Sequence, residues 1–210
     1  MRVTALEIDP ALVEILRARE DLREAHFEHA DALNFDYATV SGQGPWCVAG
    51  NLPYNIATPL IIDFAAMQRG PAALVVMVQK DMADRFLALP GSAAYGSLTV
   101  ALNYWFAIKR EFVLRPTAFY PKPKVDSAVI RLSRYPAPPV VTRDADFMLQ
   151  VSRAAFAYRR KTLANSLALA LRFDRSRIND ALVKAGLHTE IRGEQLSLAQ
   201  FATLADRLAG

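Results

Sequence analysis

Apolar residues in the first two thirds of the chain fall into short β-branched runs that alternate with longer stretches of mixed apolar and polar residues. Short apolar runs are typical of buried strands, whereas apolar residues spaced three to four positions apart are typical of helices. The predicted strands span 4–8, 26–29, 46–50, 73–78, 108–114 and 127–134, and the predicted helices span 10–19, 56–69, 80–89 and 97–106. In the first of these helices Leu12, Ile15 and Leu16 share one face. This alternation predicts an α/β fold built on a largely parallel sheet.

The last third of the chain has a different pattern, which begins after the proline-rich stretch 136–139. Such a stretch favours an extended linker. Every apolar run beyond it has helical spacing, and the predicted helices span 147–158, 160–171, 175–185 and 198–208. We therefore predict two domains, an α/β domain over 1–140 and a small all-helical domain over 141–210.

The turn Asn51-Leu52-Pro53-Tyr54 lies between the third predicted strand and the helix that follows it. Open parallel sheets bind their ligands at the carboxyl ends of their strands. There the Asn51 side-chain oxygen and the Leu52 carbonyl can accept both N–H bonds of a planar amine such as adenine N6, while Tyr54 stacks on the ring. Pro53 fixes the backbone between them. The same residue types are common in ordinary strand-to-helix turns, so both interpretations stay open.

Acidic residues follow the two earlier predicted strands. Glu7, with Ile8 after it, closes the first strand, where a carboxylate can accept both hydroxyls of a ribose. Asp31 follows the second strand and can accept an adenine amine while the Ala32 N–H meets a ring nitrogen. Both acids also suit ordinary roles at a helix start or a turn. Together with Asn51, the ordered series predicts a ribose holder, an adenine holder and a substrate-amine holder along one sheet edge.

Positive charge is concentrated outside the opening segment of the chain. The net charge is +4, yet the first forty residues carry four basic and nine acidic side chains. Between 151 and 177 seven basic residues face one acid, Asp174. The basic residues are Arg153, Arg159, Arg160, Lys161, Arg172, Arg175 and Arg177. A cluster of this density fits a phosphate backbone, and a solvated helical face is the ordinary alternative.

Composition excludes several classes of protein. No stretch reaches the roughly 18 consecutive apolar residues of a membrane span, so we expect no membrane partner. The N-terminus lacks the apolar core of a signal peptide, and we expect a cytoplasmic protein. The single Cys47 lies within a predicted buried strand and is expected to be a packed thiol. One cysteine and three histidines offer no zinc cluster, and we expect no metal.

Several ordered segments together resemble one known family. They are Asn51–Ile56, Gln79–Asp81, Pro90–Ser92, Tyr95–Gly96, Phe119–Val129, Phe156, Arg159–Leu163, Asn165–Leu167 and Leu196–Ser197. In these segments the chain resembles the KsgA-type ribosomal RNA adenine N6,N6-dimethyltransferases. The segments Phe119–Val129 and Arg159–Leu167 look closer to that type than to the erythromycin-resistance methyltransferases, which act on large-subunit rRNA.

The resemblance implies a Rossmann-like class I methyltransferase sheet with a small C-terminal helical domain. It implies S-adenosylmethionine as methyl donor and two adjacent adenosines near the 3′ end of 16S rRNA as acceptors. The partner would be the small ribosomal subunit or its precursor during ribosome biogenesis, and we expect a monomer. The implied catalytic residues are Asn51, Leu52, Pro53, Tyr54 and Phe119, and the implied cofactor residues are Glu7, Ile8, Asp31, Ala32 and Asn51. The implied RNA-binding residues are Lys122, Lys124, Arg153, Arg159, Arg160 and Lys161.

The sequence departs from the family pattern before Glu7. The family has a strand and a GxGxG loop ahead of the ribose-binding acid, and no such segment precedes Glu7 in this sequence. We therefore expect a truncated sheet, and S-adenosylmethionine that binds weakly or not at all. One alternative function is a catalytically impaired RNA-binding factor in ribosome assembly, and another is a DNA or protein amine methyltransferase that uses the same turn.

Overall fold

The computed structural model describes residues 2–41 and 44–210. Their contacts form two compact units. The first unit comprises residues 1–46 and 53–71, and the second comprises 47–52 and 72–210. Each unit is an α/β assembly in its own right, and the second also contains all the helices beyond residue 140.

The first unit contains a two-stranded parallel sheet of β1 (Val3–Glu7) and β2 (Ala25–His29). Helix α1 (Pro10–Arg17) connects the strands. It begins where it does because the Asp9 carboxylate accepts a hydrogen bond from the Ala11 N–H at 2.9 Å and a proline stands at the first helical position. The short helix α2 (Ala38–Ser41) and the longer α3 (Tyr54–Ala66) complete the unit.

An aromatic cluster forms the core of the first unit. The Phe64 ring lies edge-on to Tyr37 and Trp46, with ring centroids 4.8 and 5.7 Å away, and the Tyr37 and Trp46 rings are stacked. Burial, together with the negative charges of Asp31 and Asp63, raises the pKa of Tyr37 to about 12. The cluster therefore joins α3 to the segment that follows β2.

The second unit contains a four-stranded sheet with the order β3-β4-β6-β5. Strands β3 (Cys47–Asn51) and β4 (Ala73–Gln79) are parallel, and β6 (Ser127–Arg134) is antiparallel to both β4 and β5 (Phe106–Leu114). Helices α4 (Lys80–Phe86) and α5 (Ser97–Trp105) connect β4 to β5. Alternate residues of the central strands are fully buried on one face, namely Leu74, Val76 and Val78 on β4 and Ala128, Ile130 and Leu132 on β6.

Four helices follow the sheet. They are α6 (Ala145–Ala157), α7 (Leu163–Leu171), α8 (Arg175–Lys184) and α9 (Leu198–Ala209). Helices α6 and α9 also pack against α5, and the Tyr95 hydroxyl just before α5 donates a hydrogen bond to the Leu196 carbonyl at 2.8 Å. The helices thus share one core with α5, and the predicted domain boundary near 140 stays a prediction.

The architecture confirms the predicted mixed α/β sheet with C-terminal helices, and all six predicted strands are present. The expected burial of β3 was wrong, since four of its five residues are exposed, including the Cys47 thiol that was expected to be packed. The reason is topological, because in the part of the chain that the structure describes β3 lies at a sheet edge and pairs only with β4. On α1 the buried residue is Val13, whereas Leu12 and Ile15 are exposed.

The predicted helix 160–171 begins three residues too early. In the structure Arg159, Arg160 and Lys161 lie in the connection between α6 and α7, and α7 begins at Leu163. The Thr162 hydroxyl caps the helix by accepting a hydrogen bond from the Asn165 N–H at 3.4 Å. The basic run is therefore presented on a turn rather than on a helical face.

Candidate active site and RNA-binding surface

Asn51 and Leu52 end the edge strand of the second unit. Asn51 is the last residue of β3 and is exposed, while the Leu52 side chain is buried and its N–H donates to the Met77 carbonyl at 3.2 Å. Among the described residues nothing bonds to the Asn51 side-chain amide or to the Leu52 carbonyl. These two acceptors are held by the sheet and are available to a ligand.

The loop that carries Phe119 lies at the same end of this sheet as Asn51, where β3 and β4 have their carboxyl ends. Strand β6 begins opposite the end of β4, where Gln79 pairs with Ser127, and β5 ends opposite the same residue. The loop 115–126 therefore lies at the carboxyl end of β4, as Asn51 does for the neighbouring β3. The Lys80 N–H donates to the Asp126 carbonyl at 2.9 Å and fastens the end of the loop to the start of α4. The fold of this unit thus brings Asn51 and the loop of Phe119 to the same end of the sheet.

Within this loop the aromatic and basic residues face solvent to different extents. Phe119 is half-buried, Tyr120 is fully exposed, and Lys122 and Lys124 are exposed. Residues 116–118 form a short 3-10 turn that begins with Pro116, which stiffens the first part of the loop. The loop therefore offers aromatic rings and two ammonium groups at the end of the sheet where Asn51 lies.

Sequence reasoning missed a cluster of charged side chains that joins α4 to β5 in this unit. The Asp84 carboxylate on α4 pairs with Lys80 at 2.7 Å and also with Arg110 on β5. Hydrogen bonding from Lys80 and Arg110 holds the pKa of Asp84 below its usual value. The i,i+4 spacing of Lys80 and Asp84 was visible in the sequence, but the partner on β5 is set by the sheet order.

In the first unit Glu7 and Asp31 lie at the same end of the two-stranded sheet. Glu7 is the last residue of β1, and Asp31 comes two residues after β2. The Glu7 carboxylate accepts a bond from the Asp9 N–H at 3.0 Å, and the Asp31 carboxylate accepts bonds from the Leu33 N–H at 2.9 Å and the Asn34 side-chain amide at 2.6 Å. A carboxylate has about four acceptor positions, so these turn contacts leave room for ligand groups. The cofactor assignments stay predictions.

Ile8 and Ala32, which follow Glu7 and Asp31 in the sequence, have different environments. Ile8 is 66 % exposed, and its carbonyl lies 3.1 Å from a ring nitrogen of His29. The Ala32 carbonyl accepts a hydrogen bond from the Tyr37 hydroxyl at 2.8 Å. The aromatic core of the unit therefore fixes the backbone around Ala32, which is predicted to lie next to the adenine.

Pro53 and Tyr54 form the start of α3. The Pro53 carbonyl accepts hydrogen bonds from the N–H groups of Ile56 and Ala57 at 3.1 and 3.0 Å. Tyr54 is the first helical residue, and its side chain is 40 % exposed. The ring is accessible for stacking, and its catalytic role stays a prediction.

The basic residues between 151 and 177 fall into two groups. Arg175 and Arg177 bind within the helical region, the first to the Asn165 side-chain oxygen and the second to the Leu208 carbonyl, with the Arg177 guanidinium also over the Phe173 ring. All seven are exposed. Among the described residues the side chains of Arg153, Arg160 and Lys161 have no partner, whereas Arg159 donates to the Ala93 carbonyl at 2.9 Å. Exposure therefore does not separate the predicted RNA-binding residues from Arg175 and Arg177, and the RNA-binding role stays a prediction.

The chain is similar to known proteins over its whole length. The family model for ribosomal RNA adenine dimethylase matches residues 1–210. The chain belongs to this family. It is 41 % identical over 217 aligned positions to ribosomal RNA small subunit methyltransferase A of Pelotomaculum thermopropionicum, covering 98 % of this chain and 74 % of the relative. It is 39 % identical to the protein of the same name from Streptococcus pneumoniae serotype 2, covering 100 % and 75 %.

Solved structures agree on the fold. A dimethyladenosine transferase from Plasmodium falciparum superposes with a TM-score of 0.75 at 20 % identity, covering 97 % of this chain and 80 % of that one. The 23S rRNA methyltransferase ErmE superposes with a TM-score of 0.71 at 25 % identity, covering 100 % and 82 %. These structures confirm the class I methyltransferase fold. The family match and the curated relatives confirm the assignment to rRNA adenine dimethylation and do not favour the catalytically impaired assembly factor. No helix of the described residues is long and apolar enough to span a membrane.

Proposed function

We propose that the chain transfers methyl groups from S-adenosylmethionine to N6 of two adjacent adenosines near the 3′ end of 16S rRNA. The single observation that carries the proposal is the pair of acceptors without partners at Asn51 and Leu52. They lie at the end of the sheet where the Phe119 loop also lies. The small-subunit relatives support the choice of rRNA. A monomer acting on the small subunit or its precursor in the cytoplasm belongs to the same proposal.

The two acceptors address the chemical difficulty of this reaction. An adenine amine is a poor nucleophile because its lone pair is delocalised into the ring. If the Asn51 oxygen and the Leu52 carbonyl each accept one N–H, the nitrogen becomes more tetrahedral and its lone pair turns toward the methyl donor. The nitrogen needs no base before transfer, because its proton becomes acidic only once the methyl group is attached. Positioning and electrostatic stabilisation therefore supply most of the rate enhancement.

The target base must also leave its stack to reach the acceptors. Stacking on aromatic side chains offsets part of that cost, by roughly 1–3 kcal/mol per base. Tyr54 and Phe119 are the proposed stacking partners, and both have accessible rings. Glu7 and Asp31 would hold the ribose and the adenine amine of S-adenosylmethionine, which supplies an electrophilic methyl group when it is bound.

The RNA backbone is assigned to the exposed basic groups of the second unit. Lys122 and Lys124 lie on the loop of Phe119, and Arg160 and Lys161 lie on the turn before α7. Ammonium and guanidinium groups bind phosphate without reading sequence, so these residues would set the register of the substrate. Among the described residues no acid pairs with any of these four side chains.

The test is methyl transfer from labelled S-adenosylmethionine to unmethylated small-subunit particles, with large-subunit particles as the parallel substrate. We expect dimethyladenosine at two adjacent positions of 16S rRNA. Label confined to large-subunit rRNA would contradict the substrate, and particle binding without any label would favour the assembly-factor alternative.

The same assay tests Asn51 directly. Asn51→Ala should lower the single-turnover rate by the equivalent of about 3–4 kcal/mol, as for loss of one polar transition-state contact, and leave RNA affinity nearly intact. Gln68→Ala is the control, because Gln68 is an exposed amide side chain on the turn that follows α3, at the opposite end of that helix from Tyr54. A wild-type rate for Asn51→Ala would remove this residue from the mechanism.

A further inference from the structure

Gln79 is the last residue of β4, the strand that lies next to β3 in the sheet of the second unit. It comes two residues after Met77, which is paired with Asn51 in the parallel register. Neighbouring strands are about 4.8 Å apart and rise about 3.3 Å per residue, so the Cα atoms of Gln79 and Asn51 are expected to lie about 8 Å apart. Gln79 therefore continues β4 beyond Asn51, toward the end of the sheet where the candidate site lies.

The side chains of Asn51 and Gln79 belong to the same face of this sheet. Successive side chains of a strand point to opposite faces, and Val76 and Val78 of β4 lie on the face that is fully buried. Gln79 belongs to the alternate set of β4 together with Met77, whose register partner is Asn51. The Gln79 residue is half-buried, whereas Asn51 is exposed. A base whose amine is held at Asn51 therefore lies on the face that carries the Gln79 amide.

The side-chain amide of Gln79 has no hydrogen-bond partner among the described residues. Gln79 stands immediately before α4, at the position where serine, threonine, aspartate or asparagine caps a helix, yet its side chain makes no cap bond. A primary amide has two N–H donors and one acceptor oxygen, and leaving such groups half-buried without partners costs free energy. The amide is thus not used by the fold and is available to a ligand.

The proposed reaction leaves the target ring in need of a contact of its own. As N6 becomes more tetrahedral its hydrogens leave the plane of the ring, so the bonds to Asn51 and Leu52 hold the amine but no longer fix the ring. Stacking on Tyr54 and Phe119 fixes the plane of the base, but it lets the base slide within that plane. Adenine has acceptor nitrogens, N1 and N7, on either side of N6. A donor to one of them would fix the ring while the amine changes shape.

We propose that the side-chain N–H group of Gln79 donates a hydrogen bond to a ring nitrogen next to N6 of the target adenine. The proposal rests on the proposed function, because it adds one contact to the same base. Asparagine and glutamine are the side chains that pair most readily with adenine edges, since an amide presents a donor and an acceptor together. Gln79 holds the ring of the flipped base, and Asn51 and Leu52 orient its amine.

The test compares target bases that lack one of the two acceptors. Small-subunit particles are reconstituted with 16S rRNA whose synthetic 3′ segment carries adenosine, 1-deazaadenosine or 7-deazaadenosine at both target positions. Single-turnover methyl transfer at saturating enzyme is then measured for wild type and Gln79→Leu. On adenosine we expect Gln79→Leu to be slower by about tenfold, as for loss of one hydrogen bond. On one of the two analogues the variant and wild type should have equal rates, because that base has no acceptor to lose.

Three further variants sharpen the comparison. Asn51→Ala acts on the amine, so its loss of rate should be the same on all three bases. Gln68→Leu makes the same substitution at an exposed glutamine after α3 and should have the wild-type rate on each base. Gln79→Glu keeps the size of the side chain but replaces the donor with an acceptor, so its loss on adenosine should be at least as large as that of Gln79→Leu.

A loss that depends on the base cannot come from a folding defect, because a partly unfolded variant is slower on every substrate. Equal losses for Gln79→Leu on all three bases would therefore overturn the proposal, and so would a wild-type rate of this variant on adenosine. Equal losses together with weaker binding of S-adenosylmethionine would overturn it in favour of a contact between Gln79 and the cofactor.

Failure of this contact is distinguishable from failure of the proposed function. Methyl transfer by wild type to adenosine-containing particles, with a Gln79→Leu loss that is the same on every base, would remove the contact and leave the proposed function intact. Absence of transfer by wild type to adenosine-containing particles would remove the proposed function and the contact with it.

Discussion

The helical region, residues 145–209, and the first unit are similar in length, but the helical region buries more of its apolar side chains than the first unit, whose β1 and α1 leave most of theirs exposed or half-buried. Met148, Leu163 and Phe201 are fully buried in the helical region, whereas Ile8 and Ile15 of the first unit are 66 % and 60 % exposed. Helix α6 packs against α5, α7 and α9, while α1 packs against β1 and β2. An amphipathic pattern decides which side chains can be buried, and the number of surrounding elements decides whether they are.

The same contrast separates the two kinds of candidate site. The cationic groups of Arg159 and its neighbours are carried by a region with a closed core, so their backbone is fixed by packing. The cofactor acids Glu7 and Asp31 are carried by a two-stranded sheet whose ends are held by turn hydrogen bonds. We therefore expect substitutions in the helical core to affect stability much more than substitutions on the exposed face of the first unit.

The largest effect is expected from Phe201→Ala. Removal of this fully buried ring should lower the free energy of unfolding by about 3–5 kcal/mol, through lost burial and the remaining cavity. The first-unit control Ile15→Ala should change it by less than about 0.5 kcal/mol, since the side chain is already exposed. Urea unfolding followed by circular dichroism measures both, and comparable losses would show that the two regions are packed alike.

A smaller effect is expected from Gly193→Ala, which tests how tightly the helical region is closed. A Cβ at this position would lie 2.9 Å from both the side chain and the carbonyl oxygen of Ala155, which cannot move without shifting α6. We expect a loss of about 1–3 kcal/mol from overpacking. Gly50→Ala on β3 is the control, because its nearest contact would be an ordinary 3.7 Å to Leu52. A melting temperature of Gly193→Ala equal to that of wild type would mean that this helix contact is loose.

The smallest effect concerns pH and compares Tyr95, which precedes α5 and packs in the core of the helical region, with Tyr37 of the first unit. Burial raises the pKa of Tyr95 to about 12, and burial with nearby acids raises that of Tyr37 to about 12. The unfolded chain ionises these groups near pH 10, so their contribution is complete below about pH 10 and is lost as the pH rises toward about 12. Tyr95→Phe and Tyr37→Phe should each flatten the fall in stability over this range.

Urea midpoints measured at several alkaline pH values test this expectation. The difference between each variant and wild type removes the contribution of lysine titration, which is common to all three proteins. A Tyr95→Phe profile parallel to that of wild type would show that the buried Tyr95 hydroxyl does not contribute to the loss of stability at alkaline pH. Tyr37 would then be the tyrosine expected to cause that loss.

Local pattern alone determined most of the elements. The strand 127–134 was predicted with the bounds that the structure shows, because alternating apolar residues and a preceding proline-rich loop define it. The Asn51–Tyr54 turn was likewise predicted between a strand and a helix, and the family was identified from ordered motifs. Such features depend on residues a few positions apart, which a sequence displays directly.

Only the tertiary structure decided which of these elements became neighbours. It placed β3 at a sheet edge and so exposed Cys47, it paired Arg110 with Asp84, and it brought the loop of Phe119 to the carboxyl end of β4. It also set Arg85 at the end of α4 and Arg159 on the turn after α6 around one cleft. These relations join residues tens of positions apart through sheet order and helix packing, and the free energy that selects them comes from burial summed over the whole core, which no local pattern contains.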